Sequence, residues 1–91
     1  PNTFEVALES AACALTAADL LLAGRAGAGG CVYALCRPPG HHAHADLFGG
    51  WCYFNNAALA ARRLSQRDPA GAYTLQRRVT VLDIDCAYLC I

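Results

Sequence analysis

Two short polar groups in this 91-residue sequence carry side chains that suit acid–base or metal chemistry. The first is the pair His41 and His42, which follows two prolines and a glycine in the run Arg37-Pro38-Pro39-Gly40. Imidazole is the side chain whose ordinary pKa lies nearest neutrality, so adjacent histidines suit proton transfer or metal binding. A histidine pair in a surface turn is the alternative, and the spacing of these residues leaves both open.

The second group is Asp83-Ile84-Asp85, which ends an apolar run that starts at Val79. Residues two apart on a strand face the same side, so both carboxylates can address one site. Carboxylates at the end of an apolar strand are costly to bury unless a cation, a metal or a histidine pairs with them. A solvated strand end is the alternative.

The hydrophobic pattern predicts elements that bring both groups to one edge of a sheet. We predict, in chain order, helix 3–23, strand 31–36, a histidine loop over 37–51, helix 55–64 and strand 78–85. This order is typical of a right-handed crossover and therefore of a parallel sheet in an α/β domain. Both polar groups follow strand ends, and open α/β sheets bind ligands at that edge.

The ends of the two helices have recognisable signals. Asn2 is expected to cap the first helix with Glu5 in the capping-box position, and Gly24 is expected to end it. Asn55 is expected to cap the second helix. The larger apolar residues and two alanines predict the buried face of the first helix: Phe4, Leu8, Ala11, Leu15, Ala18 and Leu22.

A carboxylate beside an imidazole fixes the tautomer of the ring and raises its basicity. A second carboxylate can coordinate zinc, which makes water a nucleophile near neutral pH. If the fold brings the two groups together, the combination therefore suggests metal-assisted hydrolysis.

The composition limits the class of protein. Hydrophobic residues make up 56% of the chain and charged residues 15%, a balance typical of the interior of a larger α/β domain. We therefore expect a piece of such a domain. The seven basic residues are scattered arginines and the net charge is zero, so no surface is predicted to bind nucleic acid or a membrane.

Six cysteines in a short chain raise the possibility of a disulfide framework. Three of them, Cys31, Cys36 and Cys86, lie in apolar runs, where a free cysteine behaves as a small hydrophobic residue. Free thiols are the preferred interpretation, and the expected location is the cytoplasm.

Three segments together resemble the histone deacetylase superfamily. They are Arg37-Pro38-Pro39-Gly40-His41-His42-Ala43, then Gly49-Gly50-Trp51-Cys52-Tyr53-Phe54-Asn55-Asn56-Ala57-Ala58, then Val79 to Asp85. Their order and spacing also fit that superfamily. The run Asp46-Leu47-Phe48-Gly49-Gly50, together with Cys36-Arg37-Pro38-Pro39, most resembles its acetylpolyamine amidohydrolase branch. The resemblance implies part of a mostly parallel-sheet, three-layer arginase/deacetylase-like domain.

The resemblance also implies roles for single residues. His41 would be the general base, His42 would stabilise charge and protonate the leaving amine, and Asp83 would orient His41 and contribute to a K⁺ site. Asp85 would be the first Zn²⁺ ligand. Gly50 and Trp51 would line the channel that admits an acetylated amine. His44, Tyr53 and Phe54 are expected to have only loop or packing roles.

The sequence departs from the family pattern after Asp85. Ala87 stands where the family has its second zinc ligand, and Cys90 stands where the carboxylate that supports His42 would be. The third ligand and a tyrosine would come later in the family sequence. An alternative is a site improvised from Asp85, Cys86 and Cys90, but strand geometry points Cys86 away from Asp85. We expect the chain alone to lose zinc and to be inactive.

The sequence is compatible with three functions. The leading one is a zinc-dependent enzyme that removes acetyl groups from acetylated lysine or polyamine in a longer protein. The second is a catalytically dead deacetylase-like module with a binding or regulatory role. The third is an α/β fragment without activity, whose histidines cap a turn.

Overall fold

The computed structural model describes residues 2–66 and 77–85. Within them it contains two helices, α1 at Thr3–Leu22 and α2 at Asn56–Ser65, close to the predicted ranges 3–23 and 55–64. Neither helix is long and apolar enough to cross a membrane. The two helices pack against each other, and Arg63 of α2 donates from Nε to Asp19 Oδ1 of α1 at 2.6 Å.

The buried face of α1 consists of small residues. It comprises Ala7, Ser10, Ala11, Ala14 and Ala18. The face predicted from the larger residues is wrong in part, because Phe4 is 62% and Leu8 is 45% exposed. Small side chains lie at the contact because they let two helix backbones approach closely. Ala11 and Ala18 are therefore buried, whereas Leu15 and Leu22 are only half-buried.

Two of the three signals predicted at the helix ends are confirmed. Asn55 caps α2, since its Oδ1 accepts a 3.0 Å hydrogen bond from the Ala58 backbone N–H. Asn2 precedes α1 but makes no side-chain capping bond, so the predicted capping box is not formed. α1 ends as expected before Gly24, whose φ of +69° is in the left-handed region that glycine tolerates.

The predicted sheet is not confirmed. Across the described residues, neither 31–36 nor 78–85 is assigned to a strand, and the one isolated bridge joins Gly49 and Cys52. A strand is defined by a ladder of backbone hydrogen bonds to a neighbour, and neither segment has such a ladder here. Burial nevertheless alternates along 31–36, where Val32, Ala34 and Cys36 are half-buried and the residues between them are exposed.

Residues 31–36 and 78–85, the first and second extended segments, line one cavity together with the helix pair. The volume of this cavity is about 510 Å³. Its wall is contributed by α1, α2 and both segments, and includes Ala14, Ala18, Val32, Cys36, Ala60, Leu64, Val81 and Asp83. Within the part of the chain that the structure describes, the cysteines are free thiols: Cys13, Cys31, Cys36 and Cys52.

Candidate active site

His41 lies between the two carboxylates that end the second extended segment. Its Nδ1 is 3.0 Å from Asp83 Oδ2, and its Nε2 is 3.4 Å from Asp85 Oδ2. The His41 side chain is 32% exposed, and about half of each aspartate side chain is exposed. The predicted convergence of the histidine pair and the two acids, 42 residues apart for His41 and Asp83, is therefore confirmed as geometry.

Asp83 is held in its ionised form by hydrogen bonds to both of its oxygens. The Asp85 backbone N–H donates to Oδ1 at 3.0 Å, and His41 contacts Oδ2. The Asp85 N–H lowers the pKa of Asp83 most, and the hydrogen bond to His41 lowers it further. An ionised carboxylate only accepts hydrogen bonds, so the proton between the two side chains is on His41 Nδ1. In the neutral ring, Nε2 then carries the lone pair.

His42 lies beside His41 in a tilted arrangement, with ring centroids 4.2 Å apart and planes inclined at 55°. The backbone of Gly50 also lies close to the His42 ring, because a Cβ at residue 50 would be 2.6 Å from His42 Cδ2. Gly50 has a φ of +55°, and the next residue, Trp51, has a φ of +63°. Gly50 therefore fits the place where a backbone approaches an imidazole closely.

Trp51 lies apart from the cavity that contains His41. Its side chain is 81% exposed. It lines a second cavity of about 700 Å³ with Arg37, Pro38, Pro39 and Tyr53. The structure thus brings Gly50 to the histidine pair and directs Trp51 to a neighbouring surface, and the channel role of these two residues stays a prediction.

Three side chains can offer metal ligands together. One donor atom from each of His41, His42 and Asp85 lies within 4.8 Å of the others. Imidazole nitrogen and carboxylate oxygen are donors that zinc accepts in proteins, so the chemistry of this set fits the metal. Three residues that bear on the second zinc ligand and on the improvised site lie outside the described residues, namely Ala87, Cys86 and Cys90.

Sequence reasoning missed two buried residues next to the histidine loop. Ser10 of α1 and Asn56 of α2 are 4% and 7% exposed, and both hydrogen bond to the Pro38 carbonyl. A serine among the alanines of a helix face is a usable signal, since a buried hydroxyl requires a partner. The second asparagine of the pair Asn55-Asn56 carries the same signal at the start of α2.

An imidazole oriented by an ionised carboxylate, beside a second imidazole and a carboxylate that can bind a metal, defines a hydrolytic type of site. The family model of the histone deacetylase domain matches residues 1–87. The chain belongs to the histone deacetylase family, which implies the arginase/deacetylase fold. Members of this family are generally zinc-dependent.

Curated relatives agree with this assignment. The chain is 48% identical over 85 residues to the acetylpolyamine amidohydrolase of Mycoplana ramosa, an alignment that covers 93% of this chain and 22% of the relative. It is 48% identical over 84 residues to that of Burkholderia pseudomallei, covering 92% and 21%. It is 41% identical over 85 residues to the polyamine deacetylase HDAC10 of Rattus norvegicus, covering 93% and 13%.

The chain spans about a fifth of the length of the bacterial relatives that it matches. No solved structure gives a significant match to it.

Proposed function

We propose that this chain carries the acid–base pair and the first metal ligand of an amidohydrolase that removes acetyl groups from acetylated amines. The observation that carries the proposal is the 3.0 Å contact between His41 Nδ1 and Asp83 Oδ2. An acetylated polyamine is the favoured substrate class, because the named activities of three similar proteins concern polyamines. Acetyl-lysine is the competing substrate.

Asp83 acts as the residue that orients the base. It holds the proton of His41 on Nδ1, which leaves Nε2 to take a proton from the attacking water. His42, whose ring lies beside that of His41, supplies the second imidazole, which stabilises charge and returns a proton to the leaving amine. The two rings therefore divide the roles of base and acid.

Asp85 would hold zinc at this site, next to the two histidines. When bound, zinc supplies Lewis acidity that polarises the acetyl carbonyl and lowers the pKa of water. The residues of this chain orient the proton carriers, and Gly50 leaves room for His42 at the edge of the site.

We also propose that the 91-residue chain is inactive by itself. Ala87 occupies the family position of the second zinc ligand, and a methyl group cannot coordinate a metal. The same substitution favours the second candidate function, a deacetylase-like module that binds acetylated amines without hydrolysing them. The two candidates differ in whether the histidine pair supports turnover when a complete ligand set is present.

A chimera tests this difference. The matching segment of the Mycoplana ramosa enzyme is replaced by this chain up to Asp85, so that the host supplies the residues that follow. We expect the chimera to hydrolyse an acetylated polyamine. The change His41→Ala should lower kcat about 10²- to 10⁴-fold, which is the usual contribution of a general base. Initial rates of amine release measure both.

Two results would contradict the proposal. A folded, zinc-loaded chimera that binds the acetylated amine but does not hydrolyse it would favour the binding module. The 91-residue chain should show no turnover and should lose zinc on dialysis, as measured by elemental analysis. Stoichiometric zinc that depends on Asp85 in that chain would refute the expected loss of the metal.

A further inference from the structure

Two consecutive asparagines at the start of α2 hold backbone carbonyls on opposite sides of the histidine pair. Asn56 Nδ2 donates to the Pro38 carbonyl at 3.3 Å, three residues before His41. Asn55 Nδ2 donates to the Ala43 carbonyl at 3.2 Å, the residue after His42. The loop that carries both imidazoles is therefore fixed to one helix terminus at both of its ends.

α1 reinforces the upstream attachment. Ser10 Oγ donates to the same Pro38 carbonyl at 2.7 Å and accepts from Asn56 Nδ2 at 3.0 Å. The described residues contain no buried side-chain nitrogen or oxygen without a partner, so this polar contact is fully satisfied. A satisfied buried network specifies one arrangement, since any shift leaves a polar group unpaired.

The loop backbone also packs directly on α2. Gly40 is buried, and a Cβ there would be 2.5 Å from both Asn56 N and the Phe54 carbonyl oxygen. The Ala43 N–H donates to the Gly40 carbonyl at 3.1 Å, and Ala43 is 5% exposed. The turn between these residues is the one that presents His41 to Asp83.

We infer that Asn55 and Asn56 are positioning residues that set His41 at hydrogen-bonding distance from Asp83. Asn55 combines two tasks, because its Oδ1 caps α2 while its Nδ2 holds the loop. The rate of proton transfer to His41 depends on the position of the ring at the ångström level. The effect of the two asparagines on catalysis therefore rests on the proposed function. The geometry itself is testable without any activity.

The two tasks of Asn55 can be separated by substitution. Asn55→Ser and Asn55→Asp both retain an oxygen that caps a helix, and neither places an amide donor at the Ala43 carbonyl. One variant is neutral and the other charged, so an effect that they share does not come from charge. Asn2→Ser is the matched control, because Asn2 makes no side-chain capping bond.

The experiment reads the tautomer of His41 from the ¹⁵N shifts of its imidazole in the full chain, in chelator-treated buffer. The Asp83→Asn variant gives the reference ¹⁵N shifts of a His41 ring that has lost its carboxylate partner. We expect the His41 shifts of both Asn55 variants to move toward these reference values. The circular dichroism of the helices and the His41 shifts of Asn2→Ser should stay as in the parent. The ¹³C shift of the Ala43 carbonyl, which loses the hydrogen bond from Asn55 Nδ2, should change in both Asn55 variants and stay as in the parent in Asn2→Ser.

A parent-like His41 tautomer in both Asn55 variants, with the helices intact, would overturn the inference. So would equal effects from Asn2→Ser. Failure of the chimera to turn over substrate would count against the proposed function only, because this readout concerns the ring and its partner.

Discussion

At the residue scale, the site is defined by how one imidazole shares two carboxylates. His41 donates its Nδ1 proton to Asp83, and its Nε2 faces Asp85 Oδ2 at 3.4 Å. In the neutral ring, Nε2 and the Asp85 carboxylate are both acceptors. A proton or a cation between these two atoms therefore favours their approach. Asp83 and Asp85 therefore act on different nitrogens of the ring: the first orients the ring, and the second lies opposite the lone pair of Nε2.

The first prediction concerns the groups that lower the pKa of Asp83. The Asp85 N–H is the largest single cause that lowers this pKa, so His41→Ala should leave part of the depression in place. Carbonyl ¹³C titration of Asp83, in metal-free buffer, measures it in parent and variant. Return of the pKa to the usual value of about 3.9 in His41→Ala would show that the imidazole was the main cause.

The same shift fixes the sign of the pH dependence of stability. A carboxyl whose pKa is lower in the folded chain stabilises it above the unfolded pKa, near 3.9, and loses this contribution as the pH falls through the folded value. The free energy of unfolding should therefore drop more steeply below about pH 4 in the parent than in Asp83→Asn.

At the element scale, the start of α2 determines how the histidine loop lies. Gly40 contacts the backbone of 54–56, and the hydrogen bonds from Asn55 and Asn56 lie on either side of it. Main-chain atoms cannot rotate away as a flexible side chain can. Side-chain volume at residue 40 is therefore less tolerated than at Gly49.

Gly40→Ala should lower the free energy of unfolding by about 1–3 kcal/mol, the usual cost of overpacking. Its new Cβ would be 2.5 Å from two backbone atoms. Gly49→Ala is the matched control, since a Cβ there meets nothing within 4 Å, and its effect should be within about 0.5 kcal/mol. Urea unfolding followed by circular dichroism compares them. Equal stability of the two variants would argue that the loop does not pack on α2 as described.

The sequence allowed the approach of His41 to Asp83 to be predicted, because both groups follow apolar segments that were expected to end at one edge of a sheet, although no ladder joins these segments in the described residues. It also marked the cap at Asn55 and the end of α1 before Gly24. The buried face of α1 was harder, since alanine is compatible with either face and the contact between helices selected it. The roles of Ser10 and Asn56 depend on a carbonyl 28 and 18 residues away, which no local pattern encodes.

At the scale of the whole molecule, the chain exposes more surface than its mass predicts. A compact monomer of 9.6 kDa is expected to expose about 5,100 Å², whereas this chain exposes 7565 Å². Among residues 2–66 and 77–85, the buried apolar residues are five alanines and one cysteine, Cys52. Large apolar side chains of both extended segments are 78–90% exposed, namely Tyr33, Leu35, Leu82 and Ile84. Apolar surface of this kind favours association with other surfaces.

The final prediction is that the isolated chain associates with itself at micromolar concentration through these side chains. Tyr33→Ser combined with Leu35→Ser should shift the chain toward monomer, because these side chains are 84% and 78% exposed. Helix content should change little, since neither residue belongs to α1 or α2. Ala11→Ser, at the buried helix contact, is the comparison and should reduce helix stability without reducing association. Light scattering coupled to size-exclusion chromatography separates these outcomes, and an unchanged mass for the double variant would place the association elsewhere.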